Sequence, residues 1–176
     1  MDLEKCMGCG AMFPPHDGPT HPYMHSSPAC WAGFGEILAR EYGNRVLLPV
    51  HRLSVDAYAV QHPGVASRQS IQSVGVHLVR LCLAMEHGLA PEQANDAMLA
   101  AGKIKHTFTW LEPPPSLADV TVRDVLLARD DAEHAALVRK WASSAWSAWA
   151  PHHAQVRAWL VQSNNPFKPT PHRGAA

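Results

Sequence analysis

The first 27 residues constrain the fold most, because they are too rich in glycine and proline to form a helix or a long strand. The same stretch, extended to Trp31, contains three of the four cysteines and three of the twelve histidines in the chain. Something other than secondary structure must therefore order it. At 176 residues the chain is long enough to bury a core, so a metal in this segment would add to that core and would not replace it.

The cysteines have the spacing of a metal site. Cys6 and Cys9 are separated by two residues, which lets a tight turn aim both sulfurs at one ion. Cys30 follows Ser27 and Pro28, which predict the start of a helix. Its thiol would then lie in the first turn, where free N–H groups stabilise a thiolate. Cysteines combined with histidine favour zinc over an iron–sulfur cluster, which usually has four thiolate ligands.

A tetrahedral zinc site needs a fourth ligand, and the loop before Cys30 offers three histidines. We predict His21, because flanking prolines stiffen its surroundings and it is close enough in sequence to reach the site. The alternatives are His25, His16 and a water molecule. Four protein ligands would make a closed, structural site, whereas a water ligand would leave an open position for zinc-dependent hydrolysis.

Helix start and stop signals predict an all-α fold, a compact bundle of about five to six helices with an irregular N-terminal zinc-binding loop. No run alternates strongly enough to predict a sheet. We expect a single helical domain over 1–162, with the metal loop at 1–27 and the helices at 28–162, followed by a disordered tail at 163–176. The predicted helices cover about 28–42, 54–62, 67–87, 91–102, 121–128 and, with a kink at Pro151, from 130 or 131 to 162.

A second group of polar residues is predicted within the helices. Tyr58 and His62 share one helix face, and His77 lies inside the apolar third helix, where Asp56 could be its hydrogen-bond partner. The functional interpretation is a polar pocket in which a histidine and a carboxylate act as acid and base, with these four residues as the catalytic candidates. The competing interpretation, which we prefer, is a satisfied core histidine and a His62 that interacts with its own helix end.

Composition limits the partners. The net charge is zero, with 15 basic and 15 acidic residues and no basic stripe, so no binding to nucleic acid or to anionic membranes is expected. No apolar run approaches the roughly 20 residues that a bilayer span needs. The N-terminus has no secretory signal, so the expected compartment is the cytosol, where closely spaced cysteines are metal ligands before they are disulfides. A protein partner or a small molecule remains as the expected ligand.

Four stretches, CMGCGAMFPPHDGPTHPYMHSSPACW, HRLSVDAYAVQHPG, QSVGVHLVRLCL and WAPHHAQVRAWL, resemble a bacterial family catalogued as domain of unknown function 5946. The resemblance extends from about Cys6 to Leu160, and VDAYAVQHPG is its most specific part. It implies no mechanism. Carried over residue by residue, it singles out Cys6, Cys9, His21 and Cys30 in the first segment and Asp56, Tyr58, Gln61, His62 and His77 in the second.

The sequence therefore predicts a zinc-binding cytosolic protein of unknown activity, whose metal is structural. Two other classes stay open. One is a zinc-dependent hydrolase with an open metal position. The other is a metal- or redox-responsive interaction module whose cysteines bind metal or react with oxidants. Whether the chain is an enzyme is not decided by its sequence.

Overall fold

Helices dominate the computed structural model, which describes residues 2–89, 91–117 and 119–163. The predicted all-α class is confirmed. A short antiparallel hairpin of β1 (Glu4–Lys5) and β2 (Met12–Phe13) precedes the helices. Within the described ranges, no helix has both the length and the apolar composition needed to cross a bilayer. The helices are α1 (Pro28–Tyr42), α2 (Leu48–Gln61), α3 (Arg68–His87), α4 (Pro91–Ile104), α5 (Val122–Leu126), α6 (Asp131–Ala148) and α7 (His153–Gln162).

Local capping signals explain most helix ends. Ser27 and Ser67 cap α1 and α3 by accepting a backbone hydrogen bond three residues ahead, and Gly88 ends α3 in the left-handed conformation at φ 61°. Pro151 divides the last predicted helix into α6 and α7, with a 3₁₀ turn at Ala150–His152 between them. The division accounts for seven helices where five to six were predicted.

Two details differ from the prediction, and a third prediction is not tested. Helix α2 begins at Leu48, six residues before the predicted start near Ser54, because Pro49 is acceptable in a first turn. The N-terminal segment, predicted to be irregular, contains the β1–β2 hairpin. The predicted disordered tail lies outside the described residues from 164 onward.

One hydrophobic cluster includes residues from every helix. Helix α2 packs against α1, α3 and α6, so its end is held on several sides. The four tryptophans of α6 and its continuation are core anchors, as predicted, and each has at most 6% of its surface exposed. They are Trp141, Trp146, Trp149 and Trp159.

A buried carboxylate also joins three helices. Glu41, at the end of α1, accepts hydrogen bonds from Ser54 Oγ (2.5 Å), His51 Nδ1 (2.9 Å) and His134 Nε2 (3.0 Å). Arg40 donates to the other ring nitrogen of His134 at 3.2 Å, so His134 is neutral and carries its proton on Nε2. The three donors satisfy a carboxylate that has no exposed surface, and they tie α1 to α2 and α6.

Candidate metal centre

The β1–β2 hairpin forms the knuckle that presents the first two cysteines. The backbone N–H of Cys6 donates to Ala11 O at 2.8 Å, and that of Gly10 donates back to Cys6 O at 3.0 Å. Gly10 has a φ of +78°, which glycine adopts without strain. The turn between the strands therefore places the sulfurs of Cys6 and Cys9 on the same side.

Helix α1 supplies the third cysteine from its first turn. Ser27 is the N-cap, and its Oγ accepts a hydrogen bond from the backbone N–H of Cys30 at 3.3 Å. The backbone N–H of Ser27 donates to Cys6 Sγ at 3.4 Å. The N–H group of Ser27 and the positive end of the helix dipole therefore lie beside the sulfurs, and both favour thiolates.

Helix α2 ends at the same place and contributes a histidine. His62 is its C-cap residue and is buried, with 1% of its surface exposed. Its Nδ1 lies 2.7 Å from the carbonyl oxygen of Tyr58, an acceptor, so Nδ1 carries the ring proton. Nε2 then turns its lone pair toward the sulfurs of Cys6, at 3.5 Å, and Cys30, at 3.4 Å. A hydrogen bond of this kind commonly orients a metal-binding imidazole.

The four ligand atoms fit a tetrahedral ion. The sulfurs of Cys6, Cys9 and Cys30 and one ring nitrogen of His62 all lie within 4.8 Å of one another. Cys9 Sγ and Cys30 Sγ are 3.8 Å apart, which is too far for a disulfide bond of about 2.05 Å. Tetrahedral bonds of about 2.3 Å to sulfur and 2.0–2.1 Å to nitrogen would separate two sulfurs by about 3.8 Å, and a sulfur from a nitrogen by about 3.5 Å. The observed distances agree with both values.

The three thiols have very different pKa values. Hydrogen bonds from Cys30 and Cys9 hold the pKa of Cys6 far below its ordinary value of 9.0 against the opposing effect of burial, so Cys6 is a thiolate. Cys30 has a strongly raised pKa, because its thiol is hydrogen-bonded to Cys6. The hydrogen bond with Cys30 lowers the pKa of Cys9. The effects of Cys6 and of burial raise this pKa by more, to about 12. A bound cation would have to displace two protons.

Gly8 is the residue that lets the knuckle approach α2. A Cβ atom at this position would lie 2.3 Å from the carbonyl oxygen of His25 and 2.4 Å from Cδ2 of His62. Both distances are shorter than real Cβ contacts, so only glycine fits without movement of its neighbours. The close approach brings Cys6 and Cys9 within reach of a histidine more than fifty residues away in sequence.

Comparison with known proteins identifies a family for this chain. A family model described as "Family of unknown function (DUF5946)" matches residues 4–150. The chain belongs to this family. No curated protein and no solved structure matches the chain. The DUF5946 match includes the four grouped residues and extends to the end of α6, so the site lies wholly within the family region.

The fourth residue of the group in this DUF5946 protein is not the histidine that we predicted. His21 lies outside the group, and its ring packs against Tyr23 and Trp31 with centroid distances of 4.4 and 5.1 Å. Burial lowers the pKa of His21, and its Nδ1 accepts a 3.5 Å hydrogen bond from the backbone N–H of Tyr23. The alternatives His16 and His25 are also outside the group. The structure brings His62, and not His21, to the three cysteines, because the packing of α1 against α2 brings the end of α2 to this place.

The predicted polar pocket is divided in two. His62 belongs to the cysteine group, whereas His77 Nδ1 bonds to Asp56 Oδ1 at 2.7 Å, as the sequence suggested. Asp56 Oδ2 accepts a 2.9 Å hydrogen bond from Arg80 Nε. Tyr58 is buried and stacks on His62 with ring centroids 4.0 Å apart. Burial and the nearby Cys30 raise the pKa of its phenol, so Tyr58 is a neutral packing group beside the grouped cysteines and His62.

Gln61, which the family resemblance singled out, has a structural place. Its amide nitrogen donates to Val120 O at 2.8 Å, and its amide oxygen accepts from Trp141 Nε1 at 2.8 Å. The side chain is fully buried. Gln61 therefore fixes the end of α2 against α6 and the segment before α5, and in doing so positions the neighbouring His62.

A second group of ligand-type side chains is a weaker metal site. Cys82, Glu86 and His87 also offer atoms within 4.8 Å of one another. Arg157 donates to both carboxylate oxygens of Glu86, at 2.8 and 2.7 Å. Burial, followed by the charge of Glu86, raises the pKa of Cys82 to about 12. Arg157 already neutralises Glu86, and Cys82 keeps its proton. A cation would therefore find no free anionic ligand in this group.

His62 lies with the cysteines and not with the helix pocket where we expected it, although its position had signals in the sequence. Pro63 and Gly64 end α2 directly after His62, so the imidazole lies at a helix terminus, as Cys30 does. Two consecutive helices joined by a short connection pack antiparallel, which brings the start of the first beside the end of the second. That argument would have placed His62 beside Cys30 without a structure.

Proposed function

We propose that this protein binds one zinc ion through Cys6, Cys9, Cys30 and His62, and that the ion is structural. The observation that carries the proposal is the convergence of these four ligand atoms within 4.8 Å from three separate segments. Three thiolates with one imidazole match the ligand preferences of zinc. When bound, zinc would supply cross-linking of the hairpin to the helices, so that the metal loop and the helices fold as one unit.

A structural role follows from the number and burial of the ligands. Four protein ligands complete a tetrahedral site and leave no position for water. Cys6, Cys30 and His62 each expose at most 1% of their surface. A zinc-dependent hydrolase is therefore disfavoured, because that chemistry needs an open position on the ion. Thiolate ligands must also stay reduced, which supports a reducing compartment such as the cytosol.

Metal analysis tests the proposal. Protein purified without added metal should contain about one equivalent of zinc, since such sites bind tightly near neutral pH. His62→Ala and Cys6→Ser should lose the ion, while the matched control His21→Ala should retain it. Substitution with Co²⁺ gives a second measurement, because tetrahedral coordination by thiolates has its own visible absorption. Zinc below about one tenth of an equivalent in the unaltered protein, or its loss in His21→Ala alone, would contradict the ligand set.

A redox-responsive role is a second candidate, favoured by one observation. Cys9 is only half-buried, and its sulfur lies 3.8 Å from that of Cys30. Peroxide can oxidise two thiols to a disulfide while it is reduced to two water molecules, and the lost thiolates would release the metal. Zinc release by mild peroxide, together with a Cys9–Cys30 disulfide identified by mass spectrometry of the released protein, would support this role. Retention of zinc by the unaltered protein under peroxide would oppose it.

A further inference from the structure

A cavity of about 290 Å³ lies among α2, α3, α4 and α6, and none of the four proposed zinc ligands lines it. Its walls are largely apolar and include Leu53 on α2, Ala84 and Met85 on α3, and Leu89 in the loop that follows. The volume is close to the lower end of the range for small-molecule sites, about 300–1,000 Å³. A cavity of this size and lining accommodates a small molecule with an apolar body.

Three arginines and one carboxylate converge on this cavity. Arg52, Arg80 and Arg139 all line it, and they come from three different helices. Asp56 is the carboxylate among the lining residues. Its oxygens are already engaged by His77 and Arg80. The charges of Asp56 and Arg80 cancel each other, so the positive charges of Arg52 and Arg139 remain at the cavity.

Arg80 is fixed in place before any ligand arrives. It is 4% exposed, its Nε donates to Asp56 at 2.9 Å, and its NH1 lies 3.1 Å from the amide oxygen of Asn95 and 3.2 Å from the sulfur of Met98. A side chain held by that many contacts loses little conformational entropy when it binds an anion.

Arg52 and Arg139 lie at the cavity without internal partners. Both are exposed, and within the described residues neither has a hydrogen bond or an ion pair. Unpaired guanidinium groups beside an apolar cavity attract anions, and their planar fork matches a carboxylate or a phosphate group. The cavity therefore has the two features that an amphipathic anion requires.

We propose that this cavity is a binding site for a small amphipathic anion, whose carboxylate or phosphate head contacts Arg52, Arg139 and the fixed Arg80 while its apolar body packs against Leu53 and Met85. Asp56 and His77 position Arg80 and do not touch the ligand. The site gives this metal-stabilised protein a small-molecule ligand in addition to its zinc ion, and it does not depend on the identity of the metal.

Three probes with the same eight-carbon chain test the site by calorimetry on the protein as purified. Octanoate and octyl phosphate carry the two head groups, and octan-1-ol is the uncharged control. At least one anion should bind with a Kd below about 1 mM, and the alcohol should bind at least roughly tenfold more weakly. Binding of only one anion identifies the head group, and similar binding of both shows that charge alone is recognised. Equal binding of all three, or no binding of either anion below that concentration, would overturn the proposal.

Paired substitutions separate the site from general electrostatics. The double variant Arg52→Gln/Arg139→Gln should weaken anion binding by roughly tenfold or more, because charge-assisted contacts are lost. Both side chains are exposed, so the melting temperature should not change. The control Arg45→Gln/Arg68→Gln removes the same charge from exposed positions that do not line the cavity, and its affinity should stay within about twofold of the unaltered protein. An equal loss in both double variants would show that the anion is not held in the cavity.

Discussion

Substitution of Gly8 by alanine tests whether the close packing around the knuckle holds the metal site together. The added methyl group would lie 2.3 Å from the carbonyl oxygen of His25, 2.4 Å from Cδ2 of His62 and 3.0 Å from the carbonyl oxygen of Gln61. Two of the three obstacles are backbone atoms, so a side-chain rotation cannot relieve them. The remaining obstacle is the ring of His62, and moving that ring takes Nε2 away from Cys6 and Cys30.

Overpacking of this kind costs about 1–3 kcal/mol, which corresponds to a loss of zinc affinity of about 5-fold to 150-fold if it falls on the bound state. The affinity can be measured by competition with a chromophoric chelator, and the free energy of unfolding by urea titration of the zinc-loaded protein. Gly35→Ala is the matched control, because a Cβ atom at Gly35 within α1 meets nothing within 4 Å. It should raise stability by about 0.5–1 kcal/mol and leave zinc affinity unchanged. Unaltered zinc affinity and stability in Gly8→Ala would refute the reasoning.

Two further predictions concern groups buried in the same structure. In the metal-free protein, the free energy of unfolding should rise with pH up to about 9, because the unfolded chain holds one more proton through Cys6. Above that pH it should fall, because Cys9, Cys30 and Cys82 keep protons that the unfolded chain releases. Urea titrations of chelator-treated protein should therefore show a maximum of stability, and Cys9→Ser should flatten the decline at higher pH. Glu41→Gln should lower the free energy of unfolding by about 1–3 kcal/mol, because the new amide group cannot accept from all three donors. The variant should retain its zinc in elemental analysis, since Glu41 is not in the metal group, and a loss of metal would contradict that separation.

The parts of this structure that follow from local signals were predictable from the sequence. Ser27 with Pro28 predicted the start of α1, Gly88 the end of α3, and Pro151 the division of the last helix. The gathering of three cysteines followed from their spacing and from the helix start before Cys30. These inferences succeed because each depends on residues only a few positions apart.

The fourth residue of the metal group was not predicted, because its position depends on contacts across the chain. His62 lies 32 residues after Cys30 and 56 after Cys6, and it reaches them only when α1 and α2 have packed. His21 is nearer in sequence and is flanked by prolines, but local spacing carries no information about the packing of α1 against α2. The cavity beside α2 was not predictable for the same reason, since Arg52, Arg80 and Arg139 converge from three helices and no local pattern links them.

The sequence separation of the four residues also sets an order of assembly. During synthesis, Cys6 and Cys9 emerge first and can hold a metal ion by two bonds, and Cys30 can add a third as soon as the first turn of α1 is made. The complete set exists only after His62 has emerged and α2 has folded back along α1. In the proposed zinc site, complete coordination would therefore follow the packing of α1 against α2, and a tightly held ion would report that contact.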